Sequence, residues 1–387
     1  MTYKRDLVRQ IIEYKKYFSV VALVGSRQAG KTTLLQKFFP DYKYYNLEKI
    51  ETLKLVMEDP AGTLVNNPQG IIIDEIQRYP EMMSSIQAHV DETKKMGKVI
   101  ISGSQNLLIS EKISQSLAGR VAYCQLCTLS LNELKREKLL VKNAFLMAYS
   151  GCYPAKYERK IPPQLFYEQY ISTYLERDVR QMRNIGDLLK FRKFMGLIAG
   201  RVGQLANFNS LANDVGVSNK TIDDWVSVLE ASFIIYRLPP YFENVGKRLI
   251  KSPKLYFYDT GVLCYLLGLT NPEEVAQYYG RGSIFENLVI GEILKIKNNG
   301  QKRGDLYFYR DNHGNEVDLL IKTTKGVIPV EIKSSSSYDP EFLKGIKYWK
   351  KLSNSIVTGY VVYSGKNQDL TDNILLNWQD LDKIKNW

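Results

Sequence analysis

The sequence predicts an α/β domain built on a largely parallel sheet, followed by a helical segment and a smaller α+β terminus. Three observations carry this prediction. Residues 1–135 alternate short apolar runs with helix-like stretches, the signature of strand–helix–strand units. Residues 136–274 turn mostly helical, and after Gly280 one helical stretch precedes three short strands. The expected units are therefore 1–135, 136–274 and 275–387, with a further change of pattern near residue 200.

In the first unit the strand candidates are Val20–Val24, Lys43–Asn46, Gly70–Ile73, Lys98–Ser102 and Val121–Leu126. Most are near-continuous apolar runs, which suits strands covered on both faces. In the second unit, Gly151–Pro154 and Pro162–Pro163 interrupt the helical pattern, and strand-like pieces fall at Phe233–Leu238 and Lys254–Tyr258. In the third, a helix over Ile284–Lys297 precedes strands Leu306–Arg310, Glu316–Lys322 and Val327–Lys333.

Composition excludes several classes. The chain has 387 residues, 44% hydrophobic and 24% charged, which is ordinary for a globular protein and too long for one compact core. No stretch approaches the roughly 20 apolar residues that span a bilayer. The first ten residues are charged without an apolar run after them, so no signal peptide is predicted. Four cysteines in a chain of this size point to a reducing compartment, and a cytoplasmic protein is expected. Net charge is +12, from 53 Lys+Arg against 41 Asp+Glu. That excess favours polyanions, nucleic acid first; a basic but merely solvated surface is the alternative.

The residues Gly25, Ser26, Arg27, Gln28, Ala29, Gly30, Lys31 and Thr32 fit G-x-x-x-x-G-K-[ST], with a strand before them and a helix from Lys31, continuing through Thr33. The glycines let backbone N–H groups wrap phosphates at a helix N-terminus, where partial positive charge accumulates. Lys31 can reach the β- and γ-phosphates of ATP, and the Thr32 hydroxyl can ligate Mg²⁺. A second motif, Ile71 to Glu75, ends a strand in two acids. Asp74 is expected beside the Mg²⁺ and Glu75 at the attacking water. At the end of the Lys98–Ser102 strand, Ser104 or Gln105 is a candidate γ-phosphate sensor, against a simple turn. Arg120 is a candidate for γ-phosphate charge, in cis or across a subunit boundary of a homo-oligomer.

The terminal strands read as a hairpin joined by Thr323–Gly326. If Lys322 pairs with Val327, Asp318 lies directly opposite Glu331, with Glu331 and Lys333 on one face. Opposed carboxylates repel unless protonated or metal-bound, so a raised carboxylate pKa or a Mg²⁺ is expected there, and Asp318→Asn is expected to relieve the repulsion. The set Asp318, Glu331, Lys333 resembles the PD-(D/E)xK nuclease motif. That resemblance implies Glu286 on the preceding helix as a further metal ligand, with Asp318, Glu331 and Lys333 as cleavage residues. An edge hairpin with solvent-facing charges is the alternative.

In the middle, Leu211 to Trp225 reads as a helix–turn–helix: Ala212 where the helices approach, Gly216 at the turn, Ser218 as N-cap, and Val217, Ile222 and Trp225 in the core. The strand-like pieces after it suggest a winged variant. Its second helix carries Asn219 and Lys220 but also Asp223 and Asp224, so DNA contact and protein docking both stay open. Arg177 and Arg180 share a helix face and are candidates for nucleotide or DNA contact, or a solvated basic face. Cys124 and Cys127 read as buried thiols, not a zinc or redox pair.

The order of the Gly25–Thr32 loop, Asp74–Gln77, Gly103-Ser104, Ser116–Arg120, Tyr174–Val179 and the Asp318/Glu331/Lys333 set resembles prokaryotic AAA-type (archaeal-ATPase-like) P-loop ATPases with a C-terminal domain of unknown function. The resemblance covers nearly the whole chain. It implies an ATPase core, a winged-helix segment and a restriction-endonuclease-like α+β terminus. Two functions follow as expectations. One is a Mg²⁺-dependent ATPase acting on or near DNA. The other is a switch-type signalling ATPase whose C-terminal modules dock proteins and cleave nothing.

Overall fold

The computed structural model describes residues 3–104, 117–175, 187–242, 252–300, 302–354, 356–385 and 387. Gln105, Ser116, Arg177 and Arg180 lie outside them.

Five strands form the first sheet: β1 (Val20–Val24), β2 (Lys43–Asn46), β3 (Ile71–Asp74), β4 (Val99–Gly103) and β5 (Val121–Gln125). All pairings are parallel, in the order β2-β3-β4-β1-β5. Every residue of β1, β3 and β4 is buried, which is why these strands read as unbroken apolar runs. Alternation divides them between two cores. Val20, Ala22, Val24, Ile71 and Ile73 face one side with Met82, Ile86 and Val90. Val21, Leu23, Ile72 and Ile100 face the other with Leu34, Leu35, Leu7 and Ile11. Burying each Leu or Ile contributes about 1.5–3 kcal/mol, so the sheet is a rigid platform.

The parallel register fixes where chemistry collects. Val24 pairs with Gly103 and with Gln125, so the carboxyl ends of β1, β3 and β4 share one edge. β4 lies between β1 and β3.

The middle segment packs helices Ala144–Ser150, Pro163–Tyr170 and Leu188–Ala199 against a helix–turn–helix, Phe208–Val215 and Asn219–Ala231. Gly216 takes φ +81 in the turn, where a Cβ would be strained. The Ser218 hydroxyl accepts from Thr221 N–H and caps the second helix. Trp225 packs edge-on against Phe191, at 5.2 Å between ring centroids. β6 (Ile235–Leu238) and β7 (Lys254–Phe257) follow as an antiparallel pair.

The terminal unit is a mixed sheet of β8 (Asp305–Arg310), β9 (Glu316–Thr323), β10 (Gly326–Lys333), β11 (Gly359–Tyr363), β12 (Gln368–Asp369) and β13 (Asn373–Asn377), in the order β12-β13-β11-β10-β9-β8. Lys322 faces Val327 as expected. The β9–β10 ladder ends at Leu319–Val330, while β10 pairs in parallel with β11 along its other edge. Helix Arg281–Asn298 crosses this sheet, with Asn287 bonding both the N–H and the C=O of Phe257 on β7. One apolar cluster runs from Leu129 through Trp225 and Ile293 to Ile384, so the middle and terminal units share a core. Among the described residues no helix is long and apolar enough to cross a membrane. The four cysteines are buried and free, and burial pushes the Cys124 thiol up to about 12.

Candidate functional site

The loop between β1 and helix Lys31–Phe38 is forced into shape at three residues. Gly25 has φ +155, and a Cβ there would lie 2.2 Å from the Leu126 carbonyl oxygen. Gln28 and Gly30 take φ +60 and +95, left-handed values that turn successive peptides. Lys31 lies back over the loop, its ammonium donating to the Gly25 carbonyl at 2.8 Å and the Ser26 carbonyl at 3.0 Å. Burial lowers its pKa, opposed by Glu75 and Asp74.

At the end of β3, Asp74 is buried and accepts four hydrogen bonds. Thr32 Oγ1 donates at 2.7 Å, and Tyr44 Oη, Ser102 Oγ and the Glu75 N–H complete the set. Tyr44 is held protonated, its pKa raised by burial and by the Asp74 carboxylate. Glu75 sits at φ +59, an uncommon conformation for a residue with a side chain. Its carboxylate accepts from Ser104 Oγ at 2.9 Å, from Ser104 N–H and from the Gln77 amide. Ser104 thus touches Glu75 directly and does not line the cleft over the loop.

That cleft is about 390 Å³. Arg27, Gln28, Gly30, Lys31, Thr32, Thr33, Glu48 and Glu75 line it from the first unit, with Arg27 paired to Glu48 at 3.2 Å. Tyr3 and Arg5 line it from the N-terminal segment, and Pro154, Ala155, Glu158 and Arg159 from the second unit. The sequence reading placed no site residue in these last two groups, since no motif spans so much chain. Arg120 lies elsewhere. Its carbonyl accepts from Val20 N–H at the amino end of β1, and its guanidinium holds Asp91 at 2.5 and 2.9 Å. That is the opposite edge of the sheet from Gly30, and Arg120 is not among the residues that line the cleft.

The Mg²⁺ expected at this site fits the donors: a Thr32 hydroxyl and an Asp74 carboxylate already in contact suit a hard cation that keeps several waters and phosphate oxygens.

The terminal cluster has the raised carboxyl expected of two close acids, at Glu331, but not the expected ladder pairing. Asp318 is not a ladder partner of Glu331. Beyond Leu319–Val330 the strands part, and Asp318 Oδ2 instead accepts from Ile332 N–H at 2.7 Å. Lys333 Nζ sits between the two acids, 2.7 Å from Glu331 and 3.2 Å from Asp318. Glu286 accepts from Tyr256 and pairs at 3.3 Å with Lys254, a buried lysine that also holds Glu316 at 2.5 Å. Arg310 takes the other Glu316 oxygen at 3.2 Å. Burial and the Asp318 charge push Glu331 up to about 9. Burial alone would raise Asp318, but Lys333, Lys254 and the Ile332 N–H hold it below the usual range. Among the described residues no three His, Cys, Asp or Glu side chains converge as a cation's ligands. Lys254 pairs with Glu286, and Lys333 with both Asp318 and Glu331, so the chain's own ammonium groups partner these three acids in this arrangement. Lys254 and Glu316 were invisible in sequence, since neither belongs to the motif.

The parallel sheet, the loop after β1 and the acid pair after β3 make the first unit an α/β domain that resembles P-loop ATPases. In agreement, residues 17–135 match the family described as AAA domain. Residues 142–273 and 281–381 match two domains of unknown function, DUF8612 and DUF4143. The chain is similar to the uncharacterized protein Rv2008c of Mycobacterium tuberculosis, 27% identical over 340 residues, 86% of this chain and 74% of that protein. It is also similar to an uncharacterized protein of Haemophilus influenzae, 22% identical and covering 86% of each chain. Among solved structures, the Walker-type ATPase PABY2304 of Pyrococcus abyssi matches with TM-score 0.43 and 13% identity, covering 68% of this chain and 96% of that one. AMPPCP-bound DnaA of Aquifex aeolicus matches with TM-score 0.30 and 14% identity, covering 58% and 85%.

Proposed function

We propose that this chain is a Mg²⁺-dependent ATPase whose C-terminal units dock a partner and cleave nothing, with nucleic acid the partner its charge favours. The observation that carries the ATPase reading is the convergence of Lys31, Thr32, Asp74 and Glu75 on one cleft, with Thr32 Oγ1 2.7 Å from Asp74. The loop N–H groups and Lys31 bind the phosphates; Asp74 and Thr32 are the residues that would hold Mg²⁺. Bound there, the ion would neutralise charge shared by the β- and γ-phosphates. Glu75, released from Ser104, accepts a proton from the attacking water, which makes that oxygen the nucleophile. Because Glu75 is tethered to Ser104 and Gln77, turnover is gated by a rearrangement at the end of β4.

Docking in place of cleavage is favoured by the cations at the terminal cluster: Lys254, Lys333 and Arg310 pair the carboxylates a nuclease would offer to metal. The nucleic-acid partner rests on the +12 charge. Duplex DNA that raises ATP turnover favours a nucleic-acid partner; turnover indifferent to DNA at low salt favours a protein partner.

The test of the ATPase reading is ligand-induced stabilisation. ATP with Mg²⁺ at about 100 times its Kd should stabilise the protein by about 2.7 kcal/mol, a shift of several degrees in Tm. Lys31→Ala should lose that shift while keeping its own fold. No shift in the parent at millimolar ATP overturns the reading.

A further inference from the structure

Arg5 lies outside the segment that matches the AAA family, and none of the motifs includes it. It is nonetheless 6% exposed and spends its guanidinium on the site. One terminal nitrogen donates to the Ala29 carbonyl in the phosphate-binding loop at 2.7 Å. The other donates to the Cys127 carbonyl at 2.6 Å, and Nε faces both oxygens of Glu133 at 3.2 Å. Glu133 is fully buried and is itself fixed by the Asp6 and Ser130 N–H groups.

Ala29 stands between the two left-handed residues of the loop, Gln28 and Gly30. A trans peptide is planar, with its C=O and N–H pointing in opposite directions. Holding the Ala29 carbonyl therefore fixes the direction of the Gly30 N–H, one of the donors a phosphate would meet. Left-handed turns of this kind are costly to maintain unless their surroundings over-determine them. The Arg5 fork supplies that constraint, because it reaches acceptors on three of its edges at once.

Resting on the ATPase reading, we infer that Arg5 is a positioning residue of the nucleotide site: it tethers the phosphate-binding loop, through the Ala29 carbonyl, to the segment that follows β5. It acts on nucleotide affinity through the loop backbone and takes no part in the chemical step. A lysine keeps the charge but offers a single nitrogen, which cannot span Ala29, Cys127 and Glu133 together.

Nucleotide affinity and steady-state kinetics on the full chain test this, with parent, Lys31→Ala, Arg5→Lys and Glu133→Gln compared. Arg5→Lys should weaken ATP binding and raise KM by about tenfold or more, the loss of one charged hydrogen bond, with kcat at saturating ATP nearly kept. Glu133→Gln, which leaves Arg5 in place but slackens its anchor, should raise KM in the same sense by less, and it serves if Arg5→Lys does not fold. Unchanged KM in a folded variant, or a fall in kcat at unchanged KM, overturns the proposal. If the parent itself binds no ATP, the ATPase reading has failed instead; the parent and Lys31→Ala arms separate the two cases.

Discussion

At the residue scale the terminal cluster turns on which cation sits between the acids. With Lys333 3.2 Å from Asp318 and Ile332 N–H at 2.7 Å, Asp318 is a supported charge, not a repelled one. The repulsion expected from two opposed carboxylates is expressed at Glu331, whose carboxyl burial and the Asp318 charge push up to about 9, while Asp318 keeps its charge. Asp318→Asn should therefore lower Tm in Mg²⁺-free buffer, the reverse of what an unsatisfied metal site would do. Lys254→Met should be more damaging. It leaves Glu286 and Glu316 without their shared partner, and breaking a buried pair from one side costs about 3 kcal/mol or more. A thermal melt of each variant, with and without Mg²⁺, checks both. A rise in Tm for Asp318→Asn that Mg²⁺ no longer augments would restore the metal-site reading.

At the element scale, two glycines with positive φ separate geometry from space. Gly25→Ala places a Cβ 2.2 Å from the Leu126 carbonyl oxygen, so β1 and the chain beyond β5 must part, and ATP affinity should collapse with stability. Gly216→Ala meets nothing within 4 Å, so only its left-handed φ is penalised, at about 1 kcal/mol, with nucleotide binding untouched. Thermal melts with and without ATP check the pair. Much at this scale was legible in sequence. Parallel strands buried on both faces read as apolar runs, and Ser218 and Gly216 announce a cap and a turn. The β9–β10 register followed from the Thr323–Gly326 turn. The departure of Asp318 from that ladder did not, because there the Asp318 side chain itself takes the Ile332 N–H that a further ladder bond would use. Arg5 and Lys254 were likewise hidden: Arg5 meets Glu133 across 128 residues, and no local period records such a contact. Arg120 shows the converse, a suggestive motif residue that the strand direction carries to the far edge of the sheet.

At the scale of the whole molecule, the segment after β5 is held from two sides. Arg5, from the N-terminal segment, ties it to the nucleotide loop; from helix Arg281–Asn298, Glu292 accepts from Leu131 N–H at 2.8 Å and Lys295 donates to the Leu129 carbonyl at 2.9 Å. The terminal unit therefore bears on the same few residues as the ATP cleft. Burial pushes Glu292 up to about 7, with Lys295 opposing. The folded state then binds more protons than the unfolded state, so this group's stabilisation is complete below about 4.5 and is lost as pH rises to 7. Stability should fall across that window by up to roughly 1.4 kcal/mol per pH unit from this group, and Glu292→Gln should flatten the profile. A profile identical in the parent and Glu292→Gln would remove Glu292 as its source. The central claim, that the cleft hydrolyses ATP, turns on a single residue whose roles in binding and chemistry come apart. Glu75→Gln keeps the loop, Lys31 and Thr32, so ATP affinity should stay within a few-fold of the parent. The proton acceptor is gone, so turnover should fall by about 100-fold or more. Phosphate release measured at saturating ATP, alongside ATP affinity, decides it: binding kept and turnover lost is the predicted result, and hydrolysis at the parental rate by Glu75→Gln contradicts the account.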